Sequence, residues 1–249
     1  MIKLVKIYNK YDIHVDDTEK RGQAVIEQGG TQKAEIQIIE QLLKNNKVDL
    51  FLDVGANYGE FSIVPASAGV KTIAFEPGSR AFASLEQTAK LYPSLSAHPF
   101  IVSDQNQDES SIYESLGSTG ATSIYSIVPS TEKFHVEGKV NTLRRRQVSL
   151  DTFCSTVDNL IIKVDVEGAE DLVIRGAKKL IKAASKVAIL AEWNTGIMSL
   201  IKGNPSQWWS DVVFLDKVYK MDKMGMSQID PINPYYKSCN LLILKGFEL

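Results

Sequence analysis

The chain has 249 residues, of which 44% are hydrophobic, so it can bury the core of one large domain or of two small ones. Its 28 basic and 30 acidic residues nearly balance, and a formal net charge of -2 gives no global field that would draw the protein to nucleic acid or to an anionic membrane. Two cysteines without CxxC spacing exclude a disulfide scaffold and a zinc site, and they predict a reducing compartment.

The N-terminal segment, residues 1–45, is predicted to lead into the main fold with strand and helix. Polar residues interrupt MIKLVKIYNKYDIH every few positions, so it lacks the apolar run of a signal peptide, and no later run reaches membrane-spanning length. KAEIQIIEQLLKN, residues 33–45, has the apolar spacing of an amphipathic helix. With the cysteine content, these features predict a cytoplasmic protein without membrane insertion.

Strands and helices alternate along the rest of the chain. The apolar periodicity predicts strands over 48–54, 71–77, 96–104, 159–166 and 185–193, and helices over about 59–68, 79–92 and 169–184. Buried strands that alternate with helices are typical of a doubly wound, mostly parallel α/β sheet with helices on both faces. Near the C terminus, VFLDKVYKM and SCNLLILKG predict a closing antiparallel hairpin.

Residues 105–148 interrupt this alternation. They are rich in Ser, Gly, Thr and Gln and show little helical periodicity, which predicts a long irregular insertion. Such a segment in a compact domain is usually a functional cover or a mobile loop. No internal repeat or linker divides the chain, so we expect a single domain over 1–249.

The stretch DVGANYG begins at Asp53 and follows the first buried strand of the sheet. Ligands of open α/β sheets bind at the carboxyl ends of strands, where the strand order reverses. Gly55 allows a tight bend and a close approach of the backbone to a ligand, and Asn57 and Gly59 belong to the same turn. Glu76 ends the next strand, where a carboxylate can accept both hydroxyl hydrogens of a ribose. The turn therefore predicts a nucleoside site.

The glycine spacing distinguishes between nucleosides. A pyrophosphate requires a G-x-G-x-x-G turn, whereas this turn reads G-x-x-x-G with Asp53 two positions before it. Asp53 would repel phosphate but attract the ammonium and sulfonium groups of S-adenosylmethionine. The spacing thus favours S-adenosylmethionine as the cofactor. The structural alternative is a tight turn with a buried polar acid.

Four stretches, taken in order, resemble the FkbM-type methyltransferases, a family of S-adenosylmethionine-dependent enzymes: FLDVGANYGEFS, AFEP, VSLDTF and IKVDVEGAEDLVIRGAKKLI. The resemblance extends over about residues 30–245. It implies the class I methyltransferase fold, with a Rossmann-like sheet of seven strands, and O-methylation of a hydroxyl on a saccharide or secondary metabolite. Pro65 departs from the family pattern because it should kink or shorten the first helix. No motif of the family is recognised in the segment 105–148, so the acceptor stays open.

Three acids are candidates for the catalytic chemistry, because an alcohol must lose its proton as it is methylated. Asp165 ends the fourth strand and is expected to contact the methionine end of the cofactor or the acceptor; Glu167 can do either or act as the base. Glu192, at the end of the fifth strand, is the preferred general base. The structural alternatives are that Glu167 only complements a helix dipole and that Glu192 caps a surface loop.

Ser103 and Asp104 follow the third strand, where the adenine of such a cofactor would lie. Asp104 is predicted to accept a hydrogen bond from the adenine amino group, unless it is an ordinary turn former. No metal is predicted, because no spacing among the acids demands one.

Two other functions remain open beside the methyltransferase. One is an NAD-dependent oxidoreductase on a related Rossmann fold, disfavoured by the missing third glycine, and the other is a non-catalytic binding module, disfavoured by the intact site acids. The expected partner is a small-molecule or glycan acceptor and not a nucleic acid. The sequence leaves the oligomeric state open.

Overall fold

The computed structural model describes residues 1–126, 140–210, 215–222, 225–232 and 237–249. Its strands are β1 Ile2–Ile7, β2 Tyr11–Asp16, β3 Leu50–Val54, β4 Thr72–Phe75, β5 Leu95–His98, β6 Ile101–Val102, β7 Gln107–Ser115, β8 Val140–Val148, β9 Asn159–Val164, β10 Lys186–Trp193, β11 Lys217–Asp222, β12 Gly225–Ile229 and β13 Cys239–Lys245. Its helices are α1 Lys20–Gln28, α2 Lys33–Asn45, α3 Ile63–Ser67, α4 Ser79–Ala89, α5 Leu150–Phe153, α6 Glu170–Arg175, α7 Lys178–Ala183, α8 Thr195–Leu200 and α9 Pro205–Ser210. In these ranges, no helix has both the length and the apolar composition to span a bilayer.

The central sheet has the strand order β12-β11-β13-β10-β9-β3-β4-β5. The five strands from β10 to β5 run parallel, and β13 lies antiparallel between β10 and β11. This confirms the predicted doubly wound, mostly parallel sheet and the antiparallel pairing of the two C-terminal stretches. Residues 213–214 of the first stretch lie outside the described residues. The expected seven strands are present, and β12 adds an eighth at the edge by pairing with β11.

Both faces of the sheet are covered at its centre, which explains why β3, β9 and β10 are apolar at most positions. On β3, Leu50, Leu52 and Val54 belong to the core that packs against α6 and α7. Phe51 points to the opposite core, which is formed with the β1–β2 hairpin, α1, α2 and α3. Successive side chains of a strand alternate between faces, so a strand buried on both faces needs a continuous apolar run.

Two predicted helices are shorter than expected. The first helix after β3 spans only Ile63–Ser67, in line with the effect expected of Pro65. The helix predicted over 169–184 is divided into α6 and α7 at Gly176, where an added Cβ would lie 2.0 Å from the carbonyl oxygen of Ser103. The Asp151 carboxylate accepts the N–H of Leu180 at 2.8 Å and so caps the start of α7. These contacts are tertiary, so periodicity alone could not reveal them.

The region from 96 to 148 is more ordered than its sequence suggests. The strand predicted over 96–104 is divided into β5 and β6, and β6 leaves the central sheet. The prediction of an irregular insertion over 105–148 is wrong for its described part, because β7 and β8 pair antiparallel and complete a separate sheet of order β6-β8-β7. Its residues 127–139 lie outside the described residues. The two strands were missed because most of their side chains are polar and few of them are buried.

Candidate functional site

The carboxyl ends of the five parallel strands lie in one row across the sheet, and a cavity of about 220 Å³ opens beside this row. Cα pairing places five residues in register: His98, Phe75, Val54, Val164 and Ala191. The chain passes from β3 to β4 and β5 in one direction and from β9 to β10 in the other, so the strand order reverses between β3 and β9. This is the position at which open α/β sheets bind their ligands.

Three predicted acids each take the position directly after this row. Glu76 follows β4, Asp165 follows β9, and Glu192 follows Ala191 within β10; all three line the cavity. With strands about 4.8 Å apart, the five strand ends extend over about 19 Å. The sheet register therefore spreads the acids along an elongated site.

The predicted glycine turn lies at the middle of this edge. Gly55 has φ +80°, and a Cβ there would lie 1.8 Å from the carbonyl oxygen of Asp165. The N–H groups of Gly55 and Ala56 both donate to the carbonyl of Phe75, at 2.9 and 3.0 Å, and Asn57 also has a positive φ of 50°. Gly55 and Asn57 line the cavity, whereas Gly59 packs towards Leu85 of α4.

Asp53 lies one residue inside the strand end and is fully buried below the turn. Ser62 Oγ donates to its Oδ2 at 2.5 Å, and Oδ1 has no hydrogen-bond partner among the described residues. Burial raises the pKa of Asp53 to about 6, against the opposing effect of the nearby Lys163 ammonium. Asp53 does not line the cavity, so its contact with a cofactor stays a prediction.

Glu76 is the acid best placed to hold a ribose. Its Oε2 accepts the N–H of Asn57 at 2.8 Å, and its Oε1 accepts the N–H of Gly78 at 2.7 Å. Each carboxylate oxygen has two lone pairs, so each retains one for a hydroxyl hydrogen. Burial raises the pKa of Glu76 to about 7.

Asp165, Glu167 and Glu192 converge at the β9–β10 end of the cavity, and one carboxylate oxygen of each lies within 4.8 Å of the others. The Lys163 ammonium lies 3.1 Å from Asp165 Oδ2. Three oxygens this close can bind one divalent cation, and they can equally accept a hydroxyl proton. The absence of a metal stays a prediction.

The loop that carries Glu167 is held by a residue that sequence reasoning missed. Glu170 is buried at the start of α6, and its Oε1 accepts the N–H groups of Val166 at 3.1 Å and Gly168 at 3.2 Å. Burial raises the pKa of Glu170 to about 7. Glu167 itself has φ +54°, a strained value for a residue with a side chain. The signal was present in the second glutamate of DVEGAE, two residues after Gly168.

Ser103 and Asp104 are not among the cavity-lining residues. Ser103 Oγ donates to Asp104 Oδ1 at 3.3 Å, and Asp104 Oδ2 lies 3.5 Å from Nε of Arg175. The wall at this end of the cavity is apolar and consists of 100–102, the residues just before them. An adenine contact of Asp104 stays a prediction.

The described part of the insertion lines the cavity beside Glu76, through residues 112, 119, 120, 122 and 124. Asn57 Nδ2 donates to Thr119 Oγ1 at 3.2 Å. Thr119 in turn donates its N–H to Glu19 Oε2 at 3.1 Å, and the Tyr58 hydroxyl also donates to Glu19. These bonds connect the insertion, the glycine turn and the N-terminal segment in one buried network.

The cavity fits S-adenosylmethionine group by group. Residues 100–102 offer an apolar wall for adenine, Glu76 retains two lone pairs for the ribose hydroxyls, and Gly55 lets the backbone approach the ligand. The carboxylates at the β9–β10 end carry the negative charge that a positively charged sulfonium would require.

The Methyltransferase FkbM domain matches residues 53–219, which is more than half of the chain. No curated protein matches the sequence significantly.

Among solved structures, a tRNA (uracil-54, C5)-methyltransferase from Pyrococcus abyssi in complex with S-adenosyl-L-homocysteine is similar at 11% identity and a TM-score of 0.44, over 98% of this chain and 44% of that chain. The bifunctional kinase-methyltransferase WbdD is similar at 10% identity and a TM-score of 0.46, over 86% of this chain and 39% of that chain. A SAM-dependent methyltransferase from Agrobacterium tumefaciens is similar at 9% identity and a TM-score of 0.48, over 98% of this chain and 69% of that chain. The chain thus spans less than half the length of the first two, and likenesses this distant leave its substrate open.

Proposed function

Since this chain belongs to the FkbM methyltransferase domain family, whose methyl donor is S-adenosylmethionine, we propose that it methylates a hydroxyl oxygen of a saccharide or secondary-metabolite acceptor. The observation that carries the proposal is the meeting of Asp165, Glu167 and Glu192 at one end of the cavity. Carboxylates at this end serve an acceptor that presents hydroxyl groups, because each can accept a hydroxyl hydrogen.

The residues that bind the cofactor and those that face the acceptor lie at different positions along the edge of the sheet. Glu76 and the turn at Gly55 hold the adenosine part, and the acids after β9 and on β10 face the acceptor. S-adenosylmethionine, when bound, supplies a methyl group on a positively charged sulfur, which is already an activated leaving group. The protein therefore has to position the acceptor oxygen, exclude water and remove one proton.

Glu192 is the proposed general base. It takes the acceptor hydroxyl proton on a carboxylate oxygen as the oxygen forms its bond to the methyl carbon. Asn194 Nδ2 lies 3.4 Å from Glu192 Oε1, and Asp165 and Glu167 lie beside it to orient the acceptor. The carbon–sulfur electron pair stays on sulfur, so the products are the methyl ether and S-adenosylhomocysteine.

The finer sequence predictions join this proposal. We propose that the chain acts as one methyltransferase domain and that the insertion 105–148 covers the acceptor, which agrees with the hydrogen bond that Ser123 Oγ donates to the Glu167 carbonyl at 2.8 Å. We place the reaction in the cytoplasm because Cys154 and Cys239 are both free thiols. The proposed partners are small-molecule or glycan acceptors and not nucleic acid.

The test uses S-adenosylmethionine with a trideuteromethyl group, offered with a panel of saccharides and hydroxylated secondary metabolites. We expect the label on an oxygen of one acceptor class, located by NMR, with equimolar S-adenosylhomocysteine. Glu192→Gln should slow this transfer, whereas Glu86→Gln, on the exposed side of α4, should not. Label on nitrogen or carbon, or transfer to none of these acceptors, would contradict O-methylation.

A further inference from the structure

The cavity is completed by residues that precede the family domain. The family match begins at residue 53, yet Arg21 of α1 and Gln32 also line the cavity. Both residues belong to the N-terminal segment, residues 1–45. Its contact with the site depends on Glu60, a buried residue of the loop that follows the glycine turn.

Glu60 fixes the N-terminal segment against the site. It accepts hydrogen bonds from the Tyr8 hydroxyl at 2.8 Å, from Arg21 Nη2 at 2.8 Å, and from the Thr31 N–H and hydroxyl, both at 2.9 Å. All four donors come from residues before 53. The Arg21 guanidinium therefore does not carry the Glu60 charge alone, because three other donors share it.

The charges around the cavity are one-sided. Its lining contains five acids against a single cation, Arg21, among the residues that the structure describes; the acids are Glu60, Glu76, Asp165, Glu167 and Glu192. S-adenosylmethionine carries two positive groups, the sulfonium and the ammonium, and one negative group, the carboxylate. The positive groups have several acids to face, and for the carboxylate Arg21 is the cationic side chain that the described lining of the cavity offers.

The guanidinium can accept this carboxylate. It has five N–H donors, and in the described part of the chain its recorded hydrogen bond is the one from Nη2 to Glu60. The backbone N–H groups at the start of α1 cannot do the same, because Glu19 already accepts those of Arg21 and Gly22 at 3.0 and 2.7 Å. The side chain, and not the helix end, is therefore the anion-binding group.

We propose that Arg21, supplied by the N-terminal segment, binds the carboxylate of the methionine part of the cofactor. The inference rests on the proposed function, because it assumes that S-adenosylmethionine occupies the cavity. It makes α1 part of the cofactor site, although α1 lies outside the matched domain.

The experiment compares two adenosine ligands by calorimetric titration. S-adenosylhomocysteine carries the amino-acid carboxylate, and 5′-methylthioadenosine has the same adenosine and sulfur without it. Arg21→Gln should weaken S-adenosylhomocysteine binding by about tenfold to a hundredfold, the size of a lost charge-assisted hydrogen bond, and change methylthioadenosine binding less than twofold.

Arg80→Gln is the matched control. Arg80 is 26% exposed against 25% for Arg21, and its Nη2 also forms an ion pair at 2.8 Å, with Asp16, but it does not line the cavity. It should leave both affinities within twofold. The wild-type protein gives a test without any variant: it should bind S-adenosylhomocysteine at least tenfold more tightly than the decarboxylated analogue that retains the amine.

Equal weakening of both ligands by Arg21→Gln, or no change in either, would overturn the role of Arg21. Equal wild-type affinity for S-adenosylhomocysteine and its decarboxylated analogue would overturn it even if the variant failed to fold. A wild-type protein that bound none of these adenosine compounds would instead refute the cofactor assignment, which separates the two failures.

Discussion

Replacing Glu76 with Gln tests the cofactor site most directly. The substitution keeps the size of a buried side chain but puts an amide NH₂ where one carboxylate oxygen now accepts a backbone N–H, either that of Asn57 or that of Gly78. One of these N–H groups then loses its acceptor. Each hydrogen bond to a charged acceptor contributes about 1.5–3 kcal/mol, so replacing the carboxylate by a neutral amide should weaken the hydrogen bonding of residue 76 to the ribose by a similar amount. The dissociation constant for S-adenosylhomocysteine should rise by about tenfold to a hundredfold.

The pH dependence of the free energy of unfolding provides a second, independent test of Glu76. Burial raises the pKa of Glu76 from 4.5 to about 7, so between these values the folded protein holds a proton that the unfolded chain has lost. Stability conferred by the neutral carboxyl therefore declines as the pH rises from about 4.5 to about 7, by about 3 kcal/mol, and is constant above. Glu76→Gln removes this contribution and flattens the profile. Asp53 and Glu170, whose pKa values are also raised by burial, retain theirs.

Cofactor affinity should change with pH in the opposite direction to stability. Only the ionised carboxylate accepts both ribose hydroxyls, so wild-type affinity should weaken below pH 7, by at most about tenfold per pH unit, and the variant should not show this. The assay is titration with S-adenosylhomocysteine from pH 5.5 to 8, with urea denaturation in the same buffers. Glu86→Gln is the control, since Glu86 is an exposed acid of α4 that does not line the cavity. An affinity within twofold of wild type, or an unchanged pH slope, would refute the role of Glu76.

Three further predictions address the chemistry and the turn. Glu192→Gln should slow turnover by about 10² to 10⁴ while leaving S-adenosylhomocysteine affinity within twofold, and a loss below tenfold would remove Glu192 as the base. Gly55→Ala should lower the free energy of unfolding, measured by urea denaturation, by about 4 kcal/mol or more, because its Cβ would lie 1.8 Å from the Asp165 carbonyl oxygen. Gly69→Ala, at the same φ of +80° but with nothing within 4 Å, should lower it by only about 1 to 2 kcal/mol. Equal losses would show that the close approach is not what requires glycine at position 55. EDTA should change turnover less than twofold, because Lys163, 3.1 Å from Asp165, already supplies a positive charge beside the acids; a loss above tenfold that Mg²⁺ restores would reveal a metal site.

The parts of the fold that the sequence predicted are those specified by local pattern. The apolar runs of β3 and β9 show both their strand character and their burial, and the positive φ of Gly55 requires the glycine that the turn displays. Because strand ends of a parallel sheet share one edge, Glu76, Asp165 and Glu192 could be assigned to one site from their positions in the chain.

The parts that stayed hidden depend on contacts between distant segments. Nothing around Arg21 in the sequence marks a ligand residue, and its place in the cavity follows from its bond to Glu60, 39 residues away along the chain. The hairpin β7–β8 was missed for a related reason, since its polar strands are recognisable only by the partner with which they pair.

The contact between the glycine turn and the acid-bearing loop predicts which substitutions should affect cofactor affinity and turnover together. The N–H of Asp165 donates to the Val54 carbonyl at 3.0 Å, and Gly55 has no room for a Cβ against the Asp165 carbonyl. The backbone that holds the cofactor therefore also fixes the start of the loop that carries the acids. Changes at Gly55 should lower both cofactor affinity and turnover. Glu192 lies on the next strand, outside this contact, so its loss should lower turnover alone, and finding the two effects inseparable at both positions would mean that the cofactor and acceptor ends of the cavity are not distinct.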